Sequence, residues 1–327
     1  MSILCVEEIS TESQQKHADV FPLIYTKKTR ENKLVECIEW VEQNRGVLME
    51  KLTTHGAILF RDFPIIDDRD FDAFLSAFNL PNFTYADSLS NAVRHNRTSK
   101  VFTANEAPSS VSIYLHHEMA QTPIYPEKLF FFCELAAEQG GATPLCRSDI
   151  LLEKLENRLP AFVANCEKLG VRYSNIMPLN DDPKSGQGRS WPSTLSINNK
   201  VEAEAKLRSL NYEWQWQMNE TLKVTTPVLP AIKTLENGRR VFFNQLIAAF
   251  RGWKDSRNKA TRSICFGDGS EICQQDMAVA IALGDELSYE MQWQTGDVVL
   301  VDNHLVMHGR RPFTGERRVL ASLVAAS

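Results

Sequence analysis

Two stretches hold residue types that converge on one chemistry: Ile113-Tyr114-Leu115-His116-His117-Glu118-Met119 and, about 190 residues later, Asp302-Asn303-His304-Leu305-Val306-Met307-His308-Gly309-Arg310. If the first is a β-strand, alternate side chains share a face, so His116 and Glu118 point together and His117 points the other way. A second imidazole from His308 would complete a two-His, one-carboxylate face. That set leaves three positions of an octahedral metal open and is the ligand pattern of non-haem iron(II) oxygenases. His304 shares parity with His308 and competes with it on a strand, but the Gly309-Arg310 that follows and the spacing to Arg317 favour His308.

The local spacing proves little by itself. With seven His and 41 Asp plus Glu in 327 residues, about one His-x-Asp/Glu arises by chance. The second occurrence, His17-Ala18-Asp19, sits in a polar lead without apolar alternation and reads as the decoy. Hydrophobic content of 43% and charged content of 24% are ordinary globular values, and a net charge of −5 with pI near 5.9 gives no reason to expect nucleic acid or an anionic membrane as partner. The N-terminus lacks the basic and apolar regions of a signal peptide, and the longest apolar run, Met277 to Leu283, is far too short to span a bilayer. The chain reads as soluble and cytoplasmic, with homo-oligomerisation left open. Seven scattered Cys without C-x-x-C spacing suggest neither a disulfide framework nor a zinc ribbon, and most read as small buried apolar residues.

The elements that must position the two stretches follow from periodicity. Helical stripes run over Glu31 to Leu52, Asp68 to Leu80, Asp149 to Cys166, Lys200 to Leu210 and Gln275 to Leu287. Strands are expected at Gly56 to Phe63, around His116, at the continuous apolar run Lys128 to Glu134, after Gly140-Gly141, at Arg240 to Asn244, at Gly296 to Asn303 and at Arg317 to Val324. Tyr85 to Val111 and Asn180 to Asn199 are polar loops of a length usually tied to function. Short strands with interspersed helices and no βαβ alternation predict an antiparallel sandwich or barrel, one domain over 1–327, its core at about 55–325 behind an N-terminal helical lead at 1–54.

An iron centre of this kind needs a co-substrate. If that is 2-oxoglutarate, its far carboxylate calls for an arginine, and only one of the neighbours Arg317 and Arg318 can face the interior of a strand. His116-x-Glu118, Gly140-Gly141-x-Thr143 and Asp302-Asn303-(x)4-His308-Gly309-Arg310-x-Pro312-Phe313-x-Gly315-x-Arg317-x-Val319-Leu320 together resemble the taurine dioxygenase (TauD/TfdA) family of Fe(II)/2-oxoglutarate oxygenases, in its subgroup with a His-x-Glu-Met segment. The likeness runs from about Ala57 to Leu323. It implies an α+β, mainly β fold: a double-stranded β-helix, the clavaminate synthase-like jelly roll, with flanking helices. It implies His116, Glu118 and His308 as iron ligands, Thr143 as a hydroxyl for 2-oxoglutarate and Arg317 as partner of its far carboxylate, with Arg318 as the alternative. The carboxylate is Glu where most of the wider family has Asp, and its presence counts against halogenation. Asn105, Glu106, Arg189, Trp191 and Asn244 resemble positions lining the substrate mouth of relatives, and their mixed charge suits a small amino-acid-like substrate; for Arg310 three readings stand open, contact with substrate, contact with 2-oxoglutarate and a solvated charge.

The leading expectation is therefore a dioxygenase using Fe(II), 2-oxoglutarate and O2, hydroxylating an unactivated C–H bond with release of succinate and CO2. The alternatives are a mononuclear zinc hydrolase, since two His and a Glu also bind zinc, and a catalytically silent metal-binding jelly roll.

Overall fold

The apolar run at Lys128–Leu135 is the spine of the larger sheet. It pairs antiparallel with Val298–Asp302 on one side and Arg318–Val324 on the other. In this computed structural model, which describes residues 6–28, 33–84, 88–105, 107–182, 185, 187–253, 256–258 and 263–326, the sheet has seven strands. Their order is Val6–Ile9, Leu23–Lys27, Ala57–Arg61, Val298–Asp302, Lys128–Leu135, Arg318–Val324 and Phe102–Thr103. Only the Leu23–Lys27 pairing with Ala57–Arg61 is parallel in this sheet.

The spine is continuously apolar because both its faces are covered. Phe130 and Phe132 pack outward against the helices Leu34–His55 and Asp68–Ser76, with Phe71 and Phe132 rings 5.2 Å apart. Leu129, Phe131 and Cys133 point the other way, into a core shared with Leu145, Met291 and Val306 of a second, four-stranded sheet. That sheet runs Ser288–Met291, Thr143–Arg147, Val306–Arg310, Ile113–His116. Two sheets face to face, strand order crossing between them, make the expected jelly roll. The outer face of the second sheet is closed by Ser148–Arg158, Leu246–Gly252 and Gln274–Glu286, which bury Leu115, Cys146 and Met307. A third sheet, Glu213–Trp216, Leu222–Thr225, Val171–Met177 and Ile264–Phe266, flanks the barrel.

Several local expectations are refined. The N-terminal lead is not only helical, because Val6–Ile9 and Leu23–Lys27 extend the large sheet. The stripe at Asp149 to Cys166 is two helices, Ser148–Arg158 and Pro160–Leu169. The ring of Pro160 disfavours helical geometry at Leu159, which sits at φ −139°, ψ 56°, and then serves the first turn of the next helix. Arg240 to Asn244 keeps only Arg240–Val241 as strand before the chain turns into Leu246–Gly252. Asp67 caps Asp68–Ser76 by accepting from the Arg69 and Asp70 amides, as its position suggests. No helix among the described residues is long and apolar enough to cross a membrane.

Candidate metal centre

Strand parity brings the first two groups of the site together. Leu115 and Met307 lie in the outer core, so their neighbours His116 and His308 must point into the sandwich. The two strands pair with His116 directly opposite His308, and their rings lie 4.4 Å apart. The register then slips before Arg310, which pairs with Ile113. Gly309 sits at this irregularity, and a Cβ there would lie 2.4 Å from the Ile113 carbonyl oxygen. Glycine after the distal histidine is thus a packing requirement. His117 takes the other face, fully buried, with Nδ1 on the Asn303 carbonyl.

Glu118 follows just beyond the strand end, where its backbone is held by Asn303: the Glu118 amide donates to Asn303 Oδ1 at 2.7 Å and Asn303 Nδ2 donates back to the Glu118 carbonyl at 3.0 Å. Its Oε2 lies 3.9 Å from His116 Nε2 and 3.6 Å from His308 Nε2. His116, Glu118 and His308 are, among the described residues, the group of His, Cys, Asp and Glu that could hold a metal ion, with ligand atoms within 4.8 Å of one another. Neither His304 nor His17 belongs to it. His116 Nδ1 donates to the Tyr114 carbonyl at 2.8 Å, which leaves the Nε2 lone pair facing the cluster. Burial, reinforced by the neighbouring His308, pushes the His116 pKa down to about 4, so the ring is a neutral donor at pH 7. Burial alone would raise the Glu118 carboxyl, but the Arg94 guanidinium beside it leads the opposing effects, and the balance lies below the usual carboxylate range. Two imidazoles and one ionised carboxylate converging on one point fit a divalent transition metal.

A cavity of about 60 Å³ adjoins this cluster, lined by His116, Glu118 and His308 and also by Thr143, Arg310 and Arg317. Gly141, in the left-handed region at φ +70°, lies where a Cβ would press to 3.0 Å from Arg317 Cδ, and its carbonyl accepts from Arg317 Nε at 3.2 Å. The Gly-Gly turn is the slot through which Arg317 enters. Burial pushes the Arg317 pKa down to about 10, still charged at neutral pH, and no carboxylate pairs with it among the described residues. Arg318 points outward to Glu134 and Glu316 with half its side chain exposed. Thr143 is buried and its Oγ1 accepts from Trp293 Nε1 at 2.9 Å, leaving the hydroxyl proton to donate.

On the other side of His116 and Glu118 opens a cavity of about 360 Å³ whose walls include Asn91, Arg94, Asn105, Gln121, Gln187 and Gln245. Of the expected mouth residues, Asn105 lines both cavities. Glu106 lies outside the described residues. The others are placed elsewhere. Arg310 lines the small cavity, but its guanidinium donates to the carbonyls of Asn105, Ala107, Pro108 and Val111, so it clamps a loop. Arg189 is buried and bonds the Ser88, Ser90 and Ser193 carbonyls, tying two loops together. Trp191 is core, edge-on to Trp216, and Asn244 is fully buried, its amide on the Ala231 carbonyl. These side chains look functional in sequence because they are polar or aromatic in loop-rich segments, yet they satisfy backbone groups instead. Missed were Arg94, Gln121 and Gln187, which stand in polar stretches with no spacing signal.

Residues 26–323 match the model of the taurine catabolism dioxygenase TauD, TfdA family. A clavaminate synthase-like protein of Arabidopsis thaliana is 37% identical over 284 residues, 86% of each chain. The dapdiamide synthesis protein DdaC of Enterobacter agglomerans is 29% identical over 84% of each. Among solved structures, PvcB from Pseudomonas aeruginosa superposes over 100% of this chain and 92% of its own with a TM-score of 0.54 at 12% identity. AAD-2 in complex with Mn(II) and N-oxalylglycine does so over 99% and 98%, with a TM-score of 0.53 at 14% identity. At such identity these structures speak for the fold.

Proposed function

The chain belongs to the taurine catabolism dioxygenase TauD, TfdA family, and from that premise we propose that it is an Fe(II)- and 2-oxoglutarate-dependent dioxygenase that hydroxylates a small polar substrate, releasing succinate and CO2. His116, Glu118 and His308 would hold the iron. Iron(II) bound there supplies O2 activation, coupling oxidative decarboxylation of 2-oxoglutarate to oxidation of a C–H bond. Arg317 pairs with the far carboxylate of 2-oxoglutarate, and Thr143 donates its hydroxyl proton to the same group. Phe131, its ring 5.2 Å from that of His308, is an apolar wall that keeps water from the ligand face.

One observation carries this reading. A half-buried guanidinium without an acidic partner among the described residues lines the same small cavity as three metal-facing side chains. A buried cation is costly until an anion arrives, and a dicarboxylate that reaches from metal to arginine satisfies both ends. A zinc hydrolase would leave Arg317 without a task. The larger cavity, walled by carboxamides of Asn91, Asn105, Gln121 and Gln187, suits a small substrate with hydrogen-bonding groups, such as an amino acid or its amide.

The test is optical and then chemical. Adding 2-oxoglutarate to anaerobic Fe(II) protein should give a weak visible charge-transfer band, and a panel of amino acids and amides should then be screened for stimulated succinate release. His116→Ala should abolish both signals. A colourless wild-type complex, or turnover that survives His116→Ala, would overturn the assignment.

A further inference from the structure

We propose that Arg94 is a positioning residue for the metal-facing carboxylate: it grips both oxygens of Glu118 from one side and so fixes the carboxylate with Oε2 between His116 and His308. The inference rests on the metal-site reading above and concerns a residue that no sequence pattern marks. Oε2 is the oxygen that both imidazoles approach, at 3.9 and 3.6 Å. Arg94 Nη2 donates to both carboxylate oxygens, to Oε1 at 3.1 Å and to Oε2 at 3.2 Å, and both side chains are about 95% buried. The guanidinium is itself fixed, lying over the Phe102 ring at 5.4 Å, and Phe102 belongs to a strand paired with Arg318–Val324.

The need for such a residue follows from the ligand type. Glutamate has one methylene and one rotor more than aspartate, so its carboxylate can swing, bind an ion through both oxygens, or turn into the large cavity that it also lines. Asn303 fixes the Glu118 backbone and does nothing for the side-chain torsions. A buried cation bonded to both oxygens removes that freedom, because swinging the carboxylate would break two charge-assisted hydrogen bonds. Removing a group that orients a metal ligand typically costs on the order of 10–100-fold in metal affinity.

The alternative is that Arg94, which also lines the large cavity, grips an anionic substrate instead. Arg94→Met and Arg94→Lys separate the two, measured on the full chain as Mn(II) affinity by titration and as the position of the anaerobic Fe(II)–2-oxoglutarate band. We expect Arg94→Met to weaken Mn(II) binding at least tenfold and to shift the band, Arg94→Lys to recover part of both, and Arg94→Met to add little in a Glu118→Asp background, where the shorter side chain cannot bridge ion and arginine. Circular dichroism checks that each variant is folded, and Arg94→Gln replaces Arg94→Met if the latter is not. Unchanged Mn(II) affinity and an unmoved band in Arg94→Met overturn the proposal. Absence of the band in the wild type sinks the oxygenase reading instead, and Mn(II) affinity still judges Arg94.

Discussion

The guanidinium of Arg317 is half-buried beside Gly141, whereas its neighbour Arg318 is engaged by Glu134 and Glu316 at the surface. Removing a buried charge partner costs on the order of 2–5 kcal/mol, which converts to roughly 30- to several-thousandfold in affinity. Arg317→Ala should therefore raise the apparent 2-oxoglutarate Kd at least 30-fold, while Arg318→Ala, losing only exposed pairs, should change it by less than about fivefold. Calorimetric titration of metal-loaded protein reads both, and equal effects would show that the pocket does not discriminate between them. Parity requires one arginine inside and one outside, and the chain itself identifies which only through the glycine slot, a three-dimensional fact. Glu118 was readable from its spacing to His116. Arg94 was not, because an ion pair across 24 residues of polar loop leaves no periodic trace.

At the scale of elements, Asn105 and the loop 107–111 are held by Arg310 of the strand Val306–Arg310 through four carbonyls. Asn105 lines both cavities and Ala107, Pro108 and Val111 the larger one, so the clamp shapes them. Arg310→Met should lower stability by on the order of 3 kcal/mol, since buried carbonyls lose charged donors. Amide hydrogen exchange should quicken across the 105–111 loop and stay slow in the Lys128–Leu135 spine; uniform quickening of both would mean that Arg310 supports the whole barrel instead. Long periodic helices and the twice-buried spine were legible because burial imposes period on sequence. The strand at Val6–Ile9, half polar and at a sheet edge, and the break at Pro160 were not, since short edges carry little pattern and a helical stripe can continue across a turn.

Across the whole molecule, His116 and His308 stand side by side on neighbouring strands although about 190 residues separate them in the chain. An ion gripped by both therefore acts as a removable staple on a very long loop. A closure that persists only in the folded protein stabilises by mass action, about 2.7 kcal/mol when free metal exceeds its Kd a hundredfold. Mn(II) with N-oxalylglycine should raise the melting temperature, a chelator should reverse the rise, and His308→Ala should erase it; a rise that persists in that variant would place the ion elsewhere. Starved of metal, the enzyme would then lose more than its catalyst. The strand bearing His116 lies at the margin of its sheet, so iron supply would also govern how often that margin parts, and with it how long the chain survives proteases in the cell.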